Sequence, residues 1–237
     1  MQPPFADSGA VWQQVEAVVS AERLRPYRGA RNVDELDPLA RSLWNVALSE
    51  ALYPSLHGFE IALRNTIHNA MAARTHNTSW WDDPTVRLHL SEQERIREAR
   101  DALARAGKAY ESGRMVAELR LGFWVSLFSR HYEHSLLIPI LRLAFPAMRA
   151  GQRTRQVLAA RFGGIRELRN RAFHHEPVWK YRDLGQRHLD ILEAIGWISP
   201  VKQALVAAID RFDSILAAGW QPYRAAIENR LLGTAAP

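Results

Sequence analysis

Apolar residues recur at steps of three and four along most of the chain, and no stretch alternates long enough to predict a sheet. The pattern therefore predicts an all-α fold. A first helix is predicted from about Gly9 to Leu24. The residues expected on its buried side are Val11, Trp12, Val15, Val18 and Val19.

Proline, glycine and capping residues indicate where further helices begin and end. Asp37 and Ser199 each precede a proline, which predicts an N-cap followed by a first helical residue. Pro54 and Gly58 predict a break or kink in the helix that starts near Asp37. Several separate helices of ordinary length are thus expected.

A charged helix is predicted between Ser91 and Gly107. Ser91 and Glu94 have the spacing of a capping box, and Gly107 is typical of a residue that closes a helix. Charges interleave along this segment, so one face of the helix should lie in solvent.

The most apolar part of the chain, residues 115–145, is expected to form the centre of the core as two helices. The adjacent Trp80 and Trp81 should cover this core or a cleft, because such side chains are rarely left in solvent. A later helix or helix pair should be hinged at Gly163 and Gly164.

The 237 residues are 47% hydrophobic, which favours a single large domain with a substantial core. No apolar run is long enough to cross a membrane, and the N-terminus lacks the pattern of a secretory signal. We therefore expect a soluble protein of the cytoplasm. The chain has no cysteine, so thiolate metal sites and cysteine nucleophiles are excluded.

The net charge of +6 makes an anionic partner plausible, with nucleic acid first. Among the 31 basic residues only Lys108, Lys180 and Lys202 are lysine. A GC-rich genome would produce this excess of arginine whatever the function, and guanidinium groups also suit bidentate contacts to phosphate. Both interpretations stay open.

The segment LRNRAFHHEP, residues 168–177, concentrates arginine, histidine and glutamate at the end of a predicted helix. Asn170 and His174 are four residues apart and so lie near one helix face, and Pro177 disfavours continuation of the helix. A titratable histidine beside phosphate-binding guanidinium groups suits RNA cleavage through the ribose 2′-OH. Alternatively, the histidines cap the helix and the arginines pair with nearby acids such as Glu167.

A second polar set lies on an otherwise apolar helix, in the segment HGFEIALRNTIHNAM. Glu60 and Arg64, and then Arg64 and His68, are spaced for a simple exposed ladder of ion pairs. The other hypothesis is that Glu60, Arg64 and Asn65 line the same cleft as the first motif and orient it.

Neither a metal nor an organic cofactor is expected. His174, His175 and Glu176 carry ligand atoms, but adjacent histidines on a helix project about 100° apart and rarely share one ion. The sequence also has no glycine-rich phosphate loop and no nucleophile elbow.

The segment LRNRAFHHEP resembles the Arg-Asn-x-x-x-His signature of the HEPN superfamily, and its His-His-Glu-Pro ending is similar to the Abi-like (abortive infection) branch. The run Phe-Glu-x-x-Leu-Arg-Asn in HGFEIALRNTIHNAM is similar to a second stretch of that branch. The resemblance implies an HEPN-like helical bundle with additional N- and C-terminal helices. One domain would span residues 1–237, with a core at about 37–195 and a C-terminal extension at 196–237.

The resemblance further implies a homodimer with a composite active site that cleaves RNA without metal. His174 would be the general acid or base, Arg169 would bind the scissile phosphate, and Asn170 would position one of them. The supporting residues would be Arg171, His175, Glu176, Glu60, Arg64 and Asn65. Phe173 departs from the expected small residue, and it would narrow the cleft or pack into the core.

The physiological role implied is that of a toxin in phage defence, with RNA as substrate and an antitoxin as a further partner. The competing hypothesis is a non-catalytic HEPN-like module that binds RNA, a nucleotide or another protein. Basic charge and exposed tryptophans would serve such binding through phosphate contacts and stacking. A titratable histidine at position 174 favours the nuclease instead.

Overall fold

A computed structural model describes residues 5–29 and 34–233, which form helices and no strand. The all-α prediction is confirmed. In chain order the α-helices of this described part are α1 (Ser8–Val19), α2 (Ala21–Leu24), α3 (Leu36–Thr75), α4 (Leu90–Arg105), α5 (Ser112–Glu118), α6 (Leu121–Ser126), α7 (Ile138–Ala144), α8 (Arg155–Phe173), α9 (Leu184–Ile198), α10 (Pro200–Ala207), α11 (Phe212–Ala218) and α12 (Gln221–Ile227). None of these helices has both the length and the hydropathy of a membrane span.

The chain divides into two compact units, each built from segments that are distant in sequence. Unit 1 comprises Met1–Tyr53, Asn170–Gln186 and Asp210–Pro237, and unit 2 comprises Pro54–Arg169 and Arg187–Ile209. Whether a single domain with a core at 37–195 and an extension at 196–237 is the right description stays a prediction.

Unit 1 has a core formed by α1, α2, the start of α3, and α12. Its buried residues are Val11, Trp12, Leu24, Leu36, Leu39, Ala40 and Ile227. Val18 and Val19, predicted on the buried side of the first helix, are instead 84% and 41% exposed. The predicted single helix from Gly9 to Leu24 is also divided, since α1 stops at Val19 and Ser20, with a positive φ of 78°, caps a separate α2.

The first turn of α3 is fixed by charge. The helix begins at Leu36, whose N–H donates to Asp34 Oδ1 at 2.8 Å, so the predicted cap at Asp37 is wrong. Asp37 is buried and pairs with Arg224, which also pairs with Asp34 at 2.7 Å. The hydrogen bond from Arg224 is the largest influence on Asp34 and holds the pKa of that carboxyl below its ordinary value.

Unit 2 has an aromatic core. Phe162 contacts Phe128 and Phe59 with ring centroids 4.8 and 5.2 Å apart, and Trp80 packs against Trp124 at 6.3 Å. Trp80 is fully buried, so the prediction that it covers the core is confirmed. Residues 115–145 supply much of this core but form a series of short helices instead of the two predicted.

A buried acid anchors the first turn of α4 in unit 2. Glu92 is 4% exposed, accepts hydrogen bonds from Tyr132 at 2.7 Å and Ser91 at 3.0 Å, and lies 3.3 Å from Arg95. The predicted Ser91 capping box is wrong, since α4 begins at Leu90 and Ser91 bonds to its neighbour. Burial acts to raise the pKa of Glu92, but the hydrogen bond from Tyr132 and further polar contacts outweigh it and lower the pKa.

No helix ends at the positions where a break or kink, or a hinge, was predicted. Pro54 and Gly58 both lie within the continuous α3, and Gly163 and Gly164 lie within α8. In unit 2 a Cβ at Gly58 would come within 2.7 Å of Val206 Cγ2. Gly58 is therefore explained by the close approach of α10 to α3, and not by a turn.

Candidate active site

The polar segment after α8 is a tight reversal of the chain. The helix ends at Phe173, the N–H of Glu176 donates to the carbonyl of Arg171 at 2.9 Å, and the N–H of His175 donates to the carbonyl of Ala172 at 3.3 Å. This pair of bonds is a Schellman motif, which satisfies carbonyls at a helix end. It requires a left-handed residue, and His175 supplies it with φ of 58°.

Arg171 and Glu176 lock this reversal from the outside. Arg171 Nε lies 3.0 Å from Glu176 Oε2, and the guanidinium stacks over the ring of Tyr181 at 5.1 Å. The hydrogen bond to Glu176 is the main reason that the pKa of Arg171 is raised. Both residues were predicted to support a catalytic site, and in unit 1 they hold the shape of the loop.

Asn45 fastens the same loop from the inside of unit 1. Its side chain is buried, donates to the carbonyl of Glu176 at 3.3 Å and accepts from the N–H groups of Val178 at 2.7 Å and Trp179 at 3.3 Å. Sequence reasoning missed this residue. The signal was an amide within an apolar run of α3, but its partners lie more than 130 residues away.

Asn170 and His174 are two polar side chains of the segment that have no described partner. Both are exposed, and neither forms a side-chain hydrogen bond or ion pair with a described residue. His174 follows the last residue of α8, and its N–H continues the helical pattern to the carbonyl of Asn170 at 2.8 Å. The imidazole is thus attached to a hydrogen-bonded helix end and remains available to a ligand.

Phe173 does not pack into the core. It is 43% exposed, and its ring lies 6.1 Å from that of Tyr53, also in unit 1. The two rings form a partly exposed aromatic pair next to His174 in the chain.

Arg169 belongs to unit 2, where it contacts the second predicted set of residues. Its Nε lies 3.7 Å from Glu60 Oε2, with both side chains about 30% exposed or less. Arg64 and Asn65 form no hydrogen bond or ion pair with Arg169. The ion-pair ladder along α3 is not formed either, since Glu60 pairs with Arg169 and His68 accepts a hydrogen bond from Trp80.

Arg64 is a second unusual cation of unit 2. Its Nε is buried and has no hydrogen-bond partner among the described residues, whereas Asn65 is exposed. Buried guanidinium nitrogens without a partner cost free energy, so this atom is a candidate for a ligand or water contact. The structure therefore brings Glu60 to Arg169 and leaves Arg64 and Asn65 without a demonstrated link to the motif.

A cavity of about 360 Å³ opens in unit 1 beside the reversal. His175 and Ala172 line it, together with one face of α3 and residues of α1 and α2. Neither at this cavity nor elsewhere among the described residues do three or more His, Asp or Glu side chains form a group that could hold a metal ion.

Comparison of the chain with models of protein families, with curated proteins and with solved structures gives no match.

Proposed function

We propose that this protein is a metal-independent endoribonuclease of the HEPN type that cleaves RNA by attack of a ribose 2′-OH on the adjacent phosphate. The observation that carries the proposal is the state of His174: an exposed imidazole, free of hydrogen bonds to described residues, directly after the last residue of α8. A general acid or base must have its nitrogen available to the reacting group.

The chemistry requires two proton transfers. A base takes the proton of the 2′-OH as its oxygen forms a bond to phosphorus, and an acid protonates the 5′-oxygen as its bond to phosphorus breaks. The products are a 2′,3′-cyclic phosphate and a 5′-OH. His174 supplies one or both of these functions, and a homodimer with a composite active site would provide two copies of the residue.

Arg169 is proposed to bind the scissile phosphate and to stabilise the charge that develops on it. Glu60 acts as a positioning residue, because its carboxylate lies 3.7 Å from Arg169 Nε and limits the conformations of that side chain. Asn170, one residue further along α8, is exposed and can donate a hydrogen bond to a phosphate oxygen.

A non-catalytic module that binds RNA or a nucleotide is the second candidate. The sequence pI of about 10.0 favours it as much as it favours a nuclease. Base stacking on exposed tryptophans, which this candidate function expects, has less support, however. The tryptophans of the described chain are buried or half-buried, and none is exposed. In the cell, the proposed nuclease would act as a phage-defence toxin in the cytoplasm, with an antitoxin as its partner.

The test is metal-free cleavage of end-labelled RNA in EDTA by the wild type and by His174→Ala, with analysis of product ends. We expect cleavage by the wild type with cyclic phosphate ends, and a loss of about 10²–10⁴-fold in the variant. His134→Ala is the matched control, because His134 is also exposed and free of described side-chain bonds. If neither protein cuts RNA and both bind it, the binding module is correct.

The positioning role of Glu60 is tested by Glu60→Gln, which keeps the size of the side chain and removes its charge. We expect a fall of about tenfold in kcat with little change in KM, since a misplaced arginine acts mainly on the transition state. Glu50→Gln is the control, because Glu50 is also on α3 and pairs with Arg211 at 2.9 Å. Full activity of Glu60→Gln would remove Glu60 from the site.

A further inference from the structure

The cavity beside the loop is lined by four structural segments of unit 1. The α3 face contributes residues one turn apart, and the reversal after α8 contributes the closing side. The complete lining is Val19, Arg23, Tyr27, Ser42, Asn45, Val46, Ser49, Ala172 and His175. Its volume of about 360 Å³ is in the range of roughly 300–1,000 Å³ that is usual for small-molecule sites.

Several polar side chains of this lining have no hydrogen-bond partner among the residues that the structure describes. Tyr27 is only 6% exposed, yet its hydroxyl forms no hydrogen bond with a described residue. The Ser42 hydroxyl and the His175 imidazole are likewise without a described partner. At the cavity wall, a phenol hydroxyl without a described partner can donate a hydrogen bond to a ligand.

The charge of the lining is entirely positive. Arg23 is exposed and forms no ion pair with a described residue, and no acidic side chain lines the cavity. Burial raises the pKa of Tyr27, and the nearby Arg23 only partly opposes this, so the phenol stays neutral and can donate a hydrogen bond. The expected ligand is therefore an anion with hydrogen-bond acceptors.

The remaining walls are apolar or aromatic. Val19, Val46 and Ala172 line the cavity, and the Tyr27 ring is backed by Trp179 in a stacked arrangement with an interplanar angle of 21°. A wall of this kind favours a flat, weakly polar group over a sugar or a simple inorganic ion. Nucleotides combine such a flat group, the base, with the hydroxyls of the ribose and the negative charge of the phosphate.

We propose that this cavity binds one nucleotide, with its base against Tyr27 and Val46 and its phosphate at Arg23 and His175. The idea rests on the proposed nuclease function for its context: His175 follows His174 directly, with Cα atoms about 3.8 Å apart, so the nucleotide would be a neighbour of the scissile phosphate. The same chemistry is offered by a nucleotide of the RNA substrate and by a free nucleoside monophosphate.

The experiment is calorimetric titration of the full-length protein with AMP, GMP, CMP and UMP, and with adenosine and inorganic phosphate as partial probes. We expect at least one monophosphate to bind more tightly than either partial probe. In Arg23→Ala the affinity should fall about tenfold or more, because a charge-assisted contact is lost. Arg25→Ala is the control, since Arg25 is exposed, two residues away and outside the cavity lining.

A second variant tests the shape of the site. Ser42→Leu places a larger side chain at the cavity wall, and it should abolish binding while thermal unfolding shows that the protein stays folded. Binding that is unchanged in both Arg23→Ala and Ser42→Leu, or absent from the wild type, overturns the proposal.

The two sources of the nucleotide are distinguished with RNA. If the cavity holds a residue of the substrate, Arg23→Ala raises KM for cleavage and weakens the preference for one base next to the cut. If it holds a free nucleotide, added monophosphate changes the rate of the wild type without competing with RNA. Nucleotide binding is measured without RNA cleavage, so the two proposals can fail separately. If the protein binds a nucleotide but never cuts RNA, the nuclease proposal is wrong and the nucleotide site is supported.

Discussion

Helices α4 and α8 end in the same hydrogen-bonding pattern but with different residues at the critical position. Each helix closes with a left-handed residue, Gly107 with φ of 64° after α4 and His175 with φ of 58° after α8. After α4, the N–H of Lys108 donates to the carbonyl of Leu103 at 3.0 Å, as the residue after His175 does for α8. Only the side chain at the turn differs.

The difference indicates that the end of α4, with Gly107, serves stability alone, whereas the end of α8, with His175, does not. Glycine adopts left-handed backbone at no steric cost, whereas a residue with a Cβ pays roughly 1–2 kcal/mol. Strain at a polar, exposed residue is a reason to look for function, and His175 lines the cavity of unit 1. Helix α4, in contrast, is stabilised at both ends, by the buried Glu92 in its first turn and by Gly107 after its last turn.

The largest expected effect concerns the start of α4. Tyr132→Phe removes the donor to Glu92 at 2.7 Å and the acceptor of the His89 N–H at 2.8 Å, leaving buried polar atoms unsatisfied. We expect a loss of about 1–3 kcal/mol in the free energy of unfolding, measured by urea denaturation. The exposed His174→Ala should cost less than about 0.5 kcal/mol, and equal losses would contradict the division of roles.

The same tyrosine should make stability depend on alkaline pH. Burial, reinforced by Glu92, raises the pKa of Tyr132 to about 12 against an unfolded value of 10.0. The folded state therefore favours the neutral phenol, so this contribution is complete below pH 10 and is lost as the pH rises toward 12. Urea midpoints of wild type and Tyr132→Phe should converge over that interval, and a constant gap would argue against the shifted pKa.

A smaller effect is expected at the close of α4. Gly107→Ala puts a Cβ on left-handed backbone, and we expect a loss of about 1 kcal/mol in the free energy of unfolding. No atom lies within 4 Å of the added carbon, so a loss would report backbone strain and not a clash. Gly113→Ala is the control, because Gly113 lies in α5, has equal space and has no positive φ. A neutral Gly107→Ala would undermine the comparison of the two helix ends.

Local patterns of sequence were enough to predict the helices but not their limits. Periodicity predicted the all-α fold, and the Ser199 cap is confirmed by its hydrogen bond from Lys202 N–H at 3.2 Å. Pro54 was expected to break or kink α3, and the helix continues through it. Tertiary packing decides such cases, as the contact of Gly58 with Val206 shows, and packing partners distant in sequence leave no local signal.

The candidate site shows the same limit. Spacing predicted only that Asn170 and His174 lie near one face at the end of a helix, and their selection as catalytic residues rested on the family resemblance. Arg171 was expected to support the catalytic residues, but the left-handed turn at His175 reverses the chain and pairs Arg171 with Glu176. The clamp by Asn45 was beyond prediction, since nothing near that residue in the sequence marks the loop as its partner.

The smallest expected effect is the most direct test of the comparison, at the close of α8. His175→Gly relieves the strained backbone but adds freedom to the unfolded chain, so we expect a net gain of about 0.5 kcal/mol in the free energy of unfolding. His175→Ala is the control, because alanine also has a Cβ and should show no gain. If alanine stabilises as much as glycine, the imidazole and not the backbone is the source of the cost. Nucleotide binding should weaken in both variants, whatever their stability, because neither glycine nor alanine presents an imidazole to the cavity.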